Sequence, residues 1–185
     1  MWLFIATEVM LFGGLFLLYS MYRAKNPSEF HAASQELSLF AGTLNTVILI
    51  TSSLSVVLAI YFFNDNKVKI TARLLLTTIG FAFAFLVVKS FEWSAKFHHG
   101  LYPGSAVLAA HPHGEQLYFG LYFMMTGLHA VHVIVGIGVL SFVYLRIKQN
   151  KIVPGKGVFF DNAGLYWHLV DIIWIFLFPL FYLIS

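Results

Sequence analysis

The sequence predicts an all-α, polytopic membrane protein with five transmembrane helices, the N-terminus cytoplasmic and the C-terminus external. Three observations lead there. The 185 residues are 59% hydrophobic and only 10% charged, whereas soluble domains sit near 45–50% apolar and about 25% charged. Five stretches reach the roughly 20 apolar residues that a bilayer-crossing helix needs. The loops between them are unequally basic. The length suits one membrane domain, residues 1–185.

The first span covers about 2–22 and is interrupted by Glu8. No basic segment precedes it, so a cleavable signal peptide is not expected. The second span, about 37–63, is an uncharged run in which Asn45, Thr46, Thr51, Ser52, Ser53 and Ser55 make one side polar. Small hydroxyl residues of this kind are packing contacts between membrane helices. The third span, about 70–91, has Arg73 and Lys89 placed to snorkel to opposite surfaces. The fourth, about 116–145, is long enough that it must tilt or project. Its Gly127, Gly136 and Gly138 permit close helix approach. The fifth, about 159–184, reads YWHLVDIIWIFLFPLF in its central part.

Four loops remain. The first, 23–36, carries Asn26-Pro27-Ser28, a turn and helix-start signal. Residues 64–69 form a short polar hairpin. The longest loop, 96–115, holds His98, His99, His111 and His113, best read as solvated histidines rather than a metal site. The last, 147–158, contains Pro154-Gly155. Lys67, Lys69, Arg73, Arg146, Lys148, Lys151 and Lys156 fall on one side, against Arg23, Lys25, Lys89 and Lys96 on the other. The positive-inside rule puts the richer side, with the N-terminus, in the cytoplasm.

Ionisable residues inside spans mark polar interiors or functional sites. Glu8 is either a hydrogen-bonded structural acid or a group that handles protons or lipid. Lys89, Glu92 and Lys96 follow i,i+3 and i,i+4 spacing, which suits ion pairing at the membrane interface. His129 and His132 share a helix face and suit hydrogen bonding across helices or to a lipid head group. His168 and Asp171 are three apart, so they form a candidate polar inter-helix pair with Glu92 or His129 as partners, and Trp174 offers a further polar contact. The absence of cysteine excludes disulfides and Cys-ligated metal. No dense basic patch supports nucleic-acid binding. There is no nucleophile–base pair or phosphate loop, and no Glu-x-x-His pair for a di-iron site. The chain alone therefore reads as non-catalytic.

These pieces together resemble subunit III of the haem–copper oxidases, cytochrome c oxidase type, in a short five-helix bacterial form. The resemblance rests on LFIATEVMLF around Glu8, Leu44-Asn45-Thr46, KSFEWSAKF around Glu92, GLHAVHVIVG around His129 and His132, and GLYWHLVDIIWIFLF around His168, Asp171 and Trp174. It implies an accessory subunit without haem, copper or other metal of its own in a bacterial plasma (inner) membrane. Such a subunit packs beside subunit I, which bears the haems and copper, in a complex with subunit II and in the setting of a respiratory supercomplex. It binds phospholipids in a cleft, sustains proton uptake and protects subunit I against inactivation. The resemblance makes Glu8 the family's buried carboxylate, His132 a cleft histidine and Arg146 a lipid-phosphate ligand. Many members have two more helices at the N-terminal side; this chain aligns from the family's third helix, so its lipid cleft is either open or closed by helices from another subunit.

Rival readings stay within view. A quinol-oxidase subunit III or a nitric-oxide-reductase-associated homologue would share this sequence pattern. An independent di-metal membrane enzyme would carry stoichiometric metal. A small proton-coupled transporter with Glu8 and Asp171 as relays would want an inverted repeat, which is not seen.

Overall fold

The computed structural model describes residues 1–149 and 158–183, and among these it contains seven helices and no strand. They are α1 Trp2–Lys25, α2 Pro27–Gln35, α3 Leu39–Asn64, α4 Val68–His98, α5 Ala106–Ala109, α6 His113–Lys148 and α7 Val158–Tyr182. Five of them, α1, α3, α4, α6 and α7, are long and apolar enough to cross a membrane, so the chain is a multi-pass membrane protein. The fourth predicted loop, with Lys151, Pro154, Gly155 and Lys156, lies almost wholly outside the described residues.

Helices α3 and α4 form the most extensive contact, and α7 packs on α3 and α6 while α6 also packs on α4. These four make a ring in the order α3, α4, α6, α7. Helix α1 leans on α6 and touches α7 only slightly; it is the least buried span and α7 the most buried.

The hydroxyl side of α3 packs inside the ring. Ser52 accepts from the Trp167 indole at 3.1 Å, Thr46 accepts from Trp174 at 3.1 Å, and Ser55 lies 2.5 Å from Thr78 of α4. In hydrocarbon such bonds matter because no water can substitute. Of the three glycines expected to allow close approach, Gly136 does so: a Cβ there would fall 2.7 Å from the Trp167 ring. Gly127 faces Trp93 at ordinary contact distance, and Gly138 faces open space.

Three sequence expectations need correction. The first loop is not merely a loop, because its helix-start signal opens α2 with Pro27 in the first turn, where a missing N–H costs nothing. Phe30 and Ala33 of α2 are buried, and Phe30 packs edge-on to Tyr19 and Tyr118. The Glu29 carboxylate accepts from the backbone N–H of Gly114 at the start of α6, where a helix has unpaired donors. Secondly, α4 runs on to His98 and α6 begins at His113, so the His-rich loop shrinks to a short stretch that includes α5. Ser105 caps α5 by accepting from Leu108 N–H at 3.0 Å. Thirdly, Lys89 does not snorkel: it is buried at 2% exposure.

Helix α7 ends in a tertiary cap. Pro179 lies inside it, and the carbonyls of its last turn have few partners along the chain. The Tyr19 hydroxyl donates to the Leu180 carbonyl at 2.8 Å, and Tyr118 donates to the Phe181 carbonyl at 2.7 Å. Two other spans thus supply what the helix end lacks.

We expect Gly136→Ala to destabilise the chain by about 1–3 kcal/mol through overpacking, because Trp167 is held in place by Ser52. Gly138→Ala should be close to neutral. Thermal unfolding in detergent distinguishes them, and equal effects would contradict the packing described.

Candidate functional site: polar centres within the bundle

Glu8 of α1 meets His132 of α6. The Glu8 Oε2 lies 3.0 Å from His132 Nε2, and both side chains are only slightly exposed. The approach is angled, so Oε2 makes no well-directed hydrogen bond. His132 Nδ1 sits 2.8 Å from the Leu128 carbonyl. A carbonyl only accepts, so Nδ1 carries a hydrogen. Attraction between Nε2 and Glu8 then requires one further proton, on the imidazole or on the carboxyl. Tyr166 of α7 donates to the His132 carbonyl at 3.0 Å, and Phe12 packs edge-on to the ring.

Beside this pair runs an apolar groove of about 460 Å³ between α1, α6 and α7. His132 and Tyr166 form part of its wall, with Phe4, Val131, Val135 and Val139. Arg146 lies fourteen residues beyond His132, roughly 21 Å along α6. It is exposed and stacks its guanidinium over Phe142 at 4.8 Å. So the structure joins Glu8 to His132 and sets Arg146 apart at the end of the helix.

A second centre is closed. The Lys89 ammonium donates to Glu92 at 3.2 Å and to the hydroxyls of Tyr122 and Tyr182 at 2.9 Å each. Both tyrosines in turn donate to the other Glu92 oxygen, Tyr122 at 2.7 Å. The Trp174 ring lies 5.2 Å from the ammonium, near enough for a cation–π contribution. The i,i+3 pairing of Lys89 with Glu92 is as the spacing predicts, but it lies in the interior rather than at the interface. Lys96 does not pair with Glu92 as expected. It turns to the Glu36 carbonyl, with the Glu36 carboxylate 4.0 Å away. The tyrosines of this centre escaped sequence reasoning. A phenol in a span demands a partner when buried, but the choice of Lys89 and Glu92 depends on three helices meeting.

The residues expected to pair on α7 do not. His168 Nδ1 bonds the Ser53 hydroxyl of α3 at 2.7 Å. Asp171 is buried at 4% exposure and faces the Ser53 hydroxyl, yet neither carboxylate oxygen makes a hydrogen bond of normal geometry. Neither Glu92 nor His129 partners this pair: Glu92 is taken by Lys89 and the tyrosines. His129 is fully buried, makes no hydrogen bond, and packs on Phe85 and Trp174. The expected cross-helix bond of His129 is thus replaced by aromatic packing. Trp174 does make its inter-helix contact, to Thr46.

At the membrane surfaces the arrangement is ordinary. His111 pairs with Glu115 at 2.7 Å. In the hairpin between α3 and α4, Asn66 takes the left-handed conformation at φ 60°, and the hydrogen bond that Lys67 donates to the Asp65 carboxylate raises the Lys67 pKa above the usual lysine value. Among the described residues no three His, Asp or Glu side chains are placed to hold a metal ion.

Removing one partner of the closed centre leaves a buried charge unpaired. Glu92→Leu should therefore destabilise by about 3–5 kcal/mol. The double variant Lys89→Met with Glu92→Leu should regain most of that loss. Additive losses on detergent unfolding would contradict the pairing.

The comparisons with known proteins agree with this architecture. The profile of the family "Cytochrome c oxidase subunit III" matches residues 1–185. The chain is 33% identical to a heme-copper oxidase subunit I+III of Aeropyrum pernix over its whole length, spanning 22% of that fused protein. It is 29% identical to cytochrome c oxidase subunit 3 of Corynebacterium diphtheriae, with 98% of this chain and 85% of the relative covered. It is 28% identical to cytochrome c oxidase subunit 3 of Alkalihalophilus pseudofirmus, covering 100% and 84%. With five apolar spans and a match along all of its residues, the chain belongs to the cytochrome c oxidase subunit III family, the accessory subunits of haem–copper oxidases.

Proposed function

We propose that this chain is a cofactor-free, non-catalytic subunit of a proton-pumping terminal oxidase that reduces oxygen to water. It sits as one five-helix domain in a bacterial plasma membrane with its N-terminus in the cytoplasm. Haems and copper belong to the partner subunits I and II. The fused subunit I+III of Aeropyrum pernix supports subunit I as the principal neighbour.

The observation that carries this reading is the Glu8–His132 pair at an apolar groove. One labile proton is held near the cytoplasmic end of α1, where proton uptake into the oxidase begins. The groove follows Val131, Val135 and Val139 along α6 toward Arg146. On α6 its lining ends at Val139, and Arg146 lies roughly 21 Å from His132 along the helix, more than the roughly 15 Å of one leaflet's hydrocarbon. A phospholipid whose phosphate meets the Arg146 guanidinium would lay an acyl chain in this groove, and a guanidinium binds phosphate through paired hydrogen bonds. Packing lipid and α1 against subunit I would keep the proton path hydrated and the oxidase stable during turnover.

The reading is tested on the intact complex. Glu8→Gln should leave assembly and haem content unchanged while lowering proton uptake and shortening the working life of the enzyme. Loss of bound haem in that variant would contradict the assignment. Arg146→Ala should reduce the phospholipid that copurifies, measured by lipid mass spectrometry, and leave the absorption spectrum intact. Metal analysis of the isolated chain should find no stoichiometric iron, copper or zinc.

A further inference from the structure

Apolar exposure cannot tell one face of a membrane bundle from another, because every outer face is apolar. A polar group at mid-depth can. The exposed hydroxyls of the spans are satisfied within their own helices: Thr7, Ser20, Thr43, Thr51, Thr77 and Ser90 each donate to a carbonyl three or four residues back. The Glu8 and His132 side chains face each other. His168 differs. It lies about 15 Å from the start of α7 and faces Ser53, about 21 Å from the start of α3, so both stand near the middle of their spans.

The His168 side chain is half-buried, with Nδ1 held by Ser53. Its Nε2 finds no partner among the described residues. With Nδ1 taken by Ser53, the His168 imidazole does not fold back onto its own helix as those hydroxyls do. An unsatisfied ring nitrogen in hydrocarbon is costly, and such residues normally face protein. Around it the seam between α3 and α7 presents Ile50, Val57, Leu165 and Ile172, all well exposed.

We infer that the α3–α7 seam is the face that docks on a membrane helix of the haem-bearing subunit. His168 Nε2 forms an intersubunit hydrogen bond there to a hydroxyl or amide side chain, which can serve either tautomer. The inference rests on the accessory-subunit reading above and adds the face and the residue. Asp171, beneath Ser53, then keeps the hydroxyl–imidazole pair polar from the inside of the bundle. Head groups do not reach mid-depth, so lipid leaves Nε2 unpaired.

The chain contains no cysteine, so an introduced one is its only thiol. Ile172→Cys on the seam and Val87→Cys on α4, across the ring, are each labelled with a benzophenone maleimide in the intact complex and irradiated. Ile172→Cys should give an adduct with the haem-bearing subunit and Val87→Cys should not. His168→Phe should weaken retention of that subunit about three- to tenfold, and His168→Gln should restore most of it. Adducts from Ile172→Cys only with lipid or with a second copy of this chain, while the haem-bearing subunit still copurifies, would overturn the seam and leave the functional reading standing. If no haem-bearing subunit copurifies with the unmodified chain, both fall.

Discussion

Inside a bilayer a polar atom has only the protein to bond with, and that constraint orders the interior of this bundle. Where a helix runs out of partners, another helix provides them: Tyr19 and Tyr118 close the carbonyl end of α7. Where a charge is drawn inside, it is enclosed. Lys89 is held by a carboxylate, two phenols and an indole face contributed by α4, α6 and α7. The indole N–H groups of Trp167 and Trp174 each take a hydroxyl of α3. These contacts bind the four ring helices far more specifically than exchange of one apolar surface for another, since lipid competes equally for apolar contact.

The ion pairs at Lys89–Glu92 and Glu8–His132 differ in how closely they are enclosed. Around Lys89 every strong donor is matched and the cluster is buried, which suits a fixed joint. At Glu8 and His132 the alignment is loose and a groove lies open alongside. The position of α1, leaning on α6 with little burial, leaves the Glu8–His132 pair beside the outer surface of the bundle.

Much of this was legible beforehand. Apolar run length locates all five spans, because hydrocarbon thickness is a constraint on sequence. The hydroxyl side of α3 and the partnership of Trp174 follow from the same rule. Which polar groups meet was harder to read. His168 and Asp171 share a face by spacing, yet α3 inserts Ser53 beside the imidazole, and one turn of separation does not make a bond. Lys89 looked long enough to reach the surface, but its ammonium finds a complete shell inside, and only the meeting of three helices reveals it. Helix α2 is short and weakly apolar; Pro27 announced its start, while its packing on Tyr19 and Tyr118 depends on tertiary structure.

The central claim is that these lipid-embedded acids and imidazoles serve a redox assembly rather than chemistry in this chain alone. Its most direct measurement is purification of the tagged chain from its own membranes in mild detergent, with an absorption spectrum taken before and after the subunits are separated. The account predicts haem absorption in the complex, all of it leaving with the partner subunits. Haem that stays with the isolated chain, or a stable chain without any haem-bearing neighbour, would contradict it.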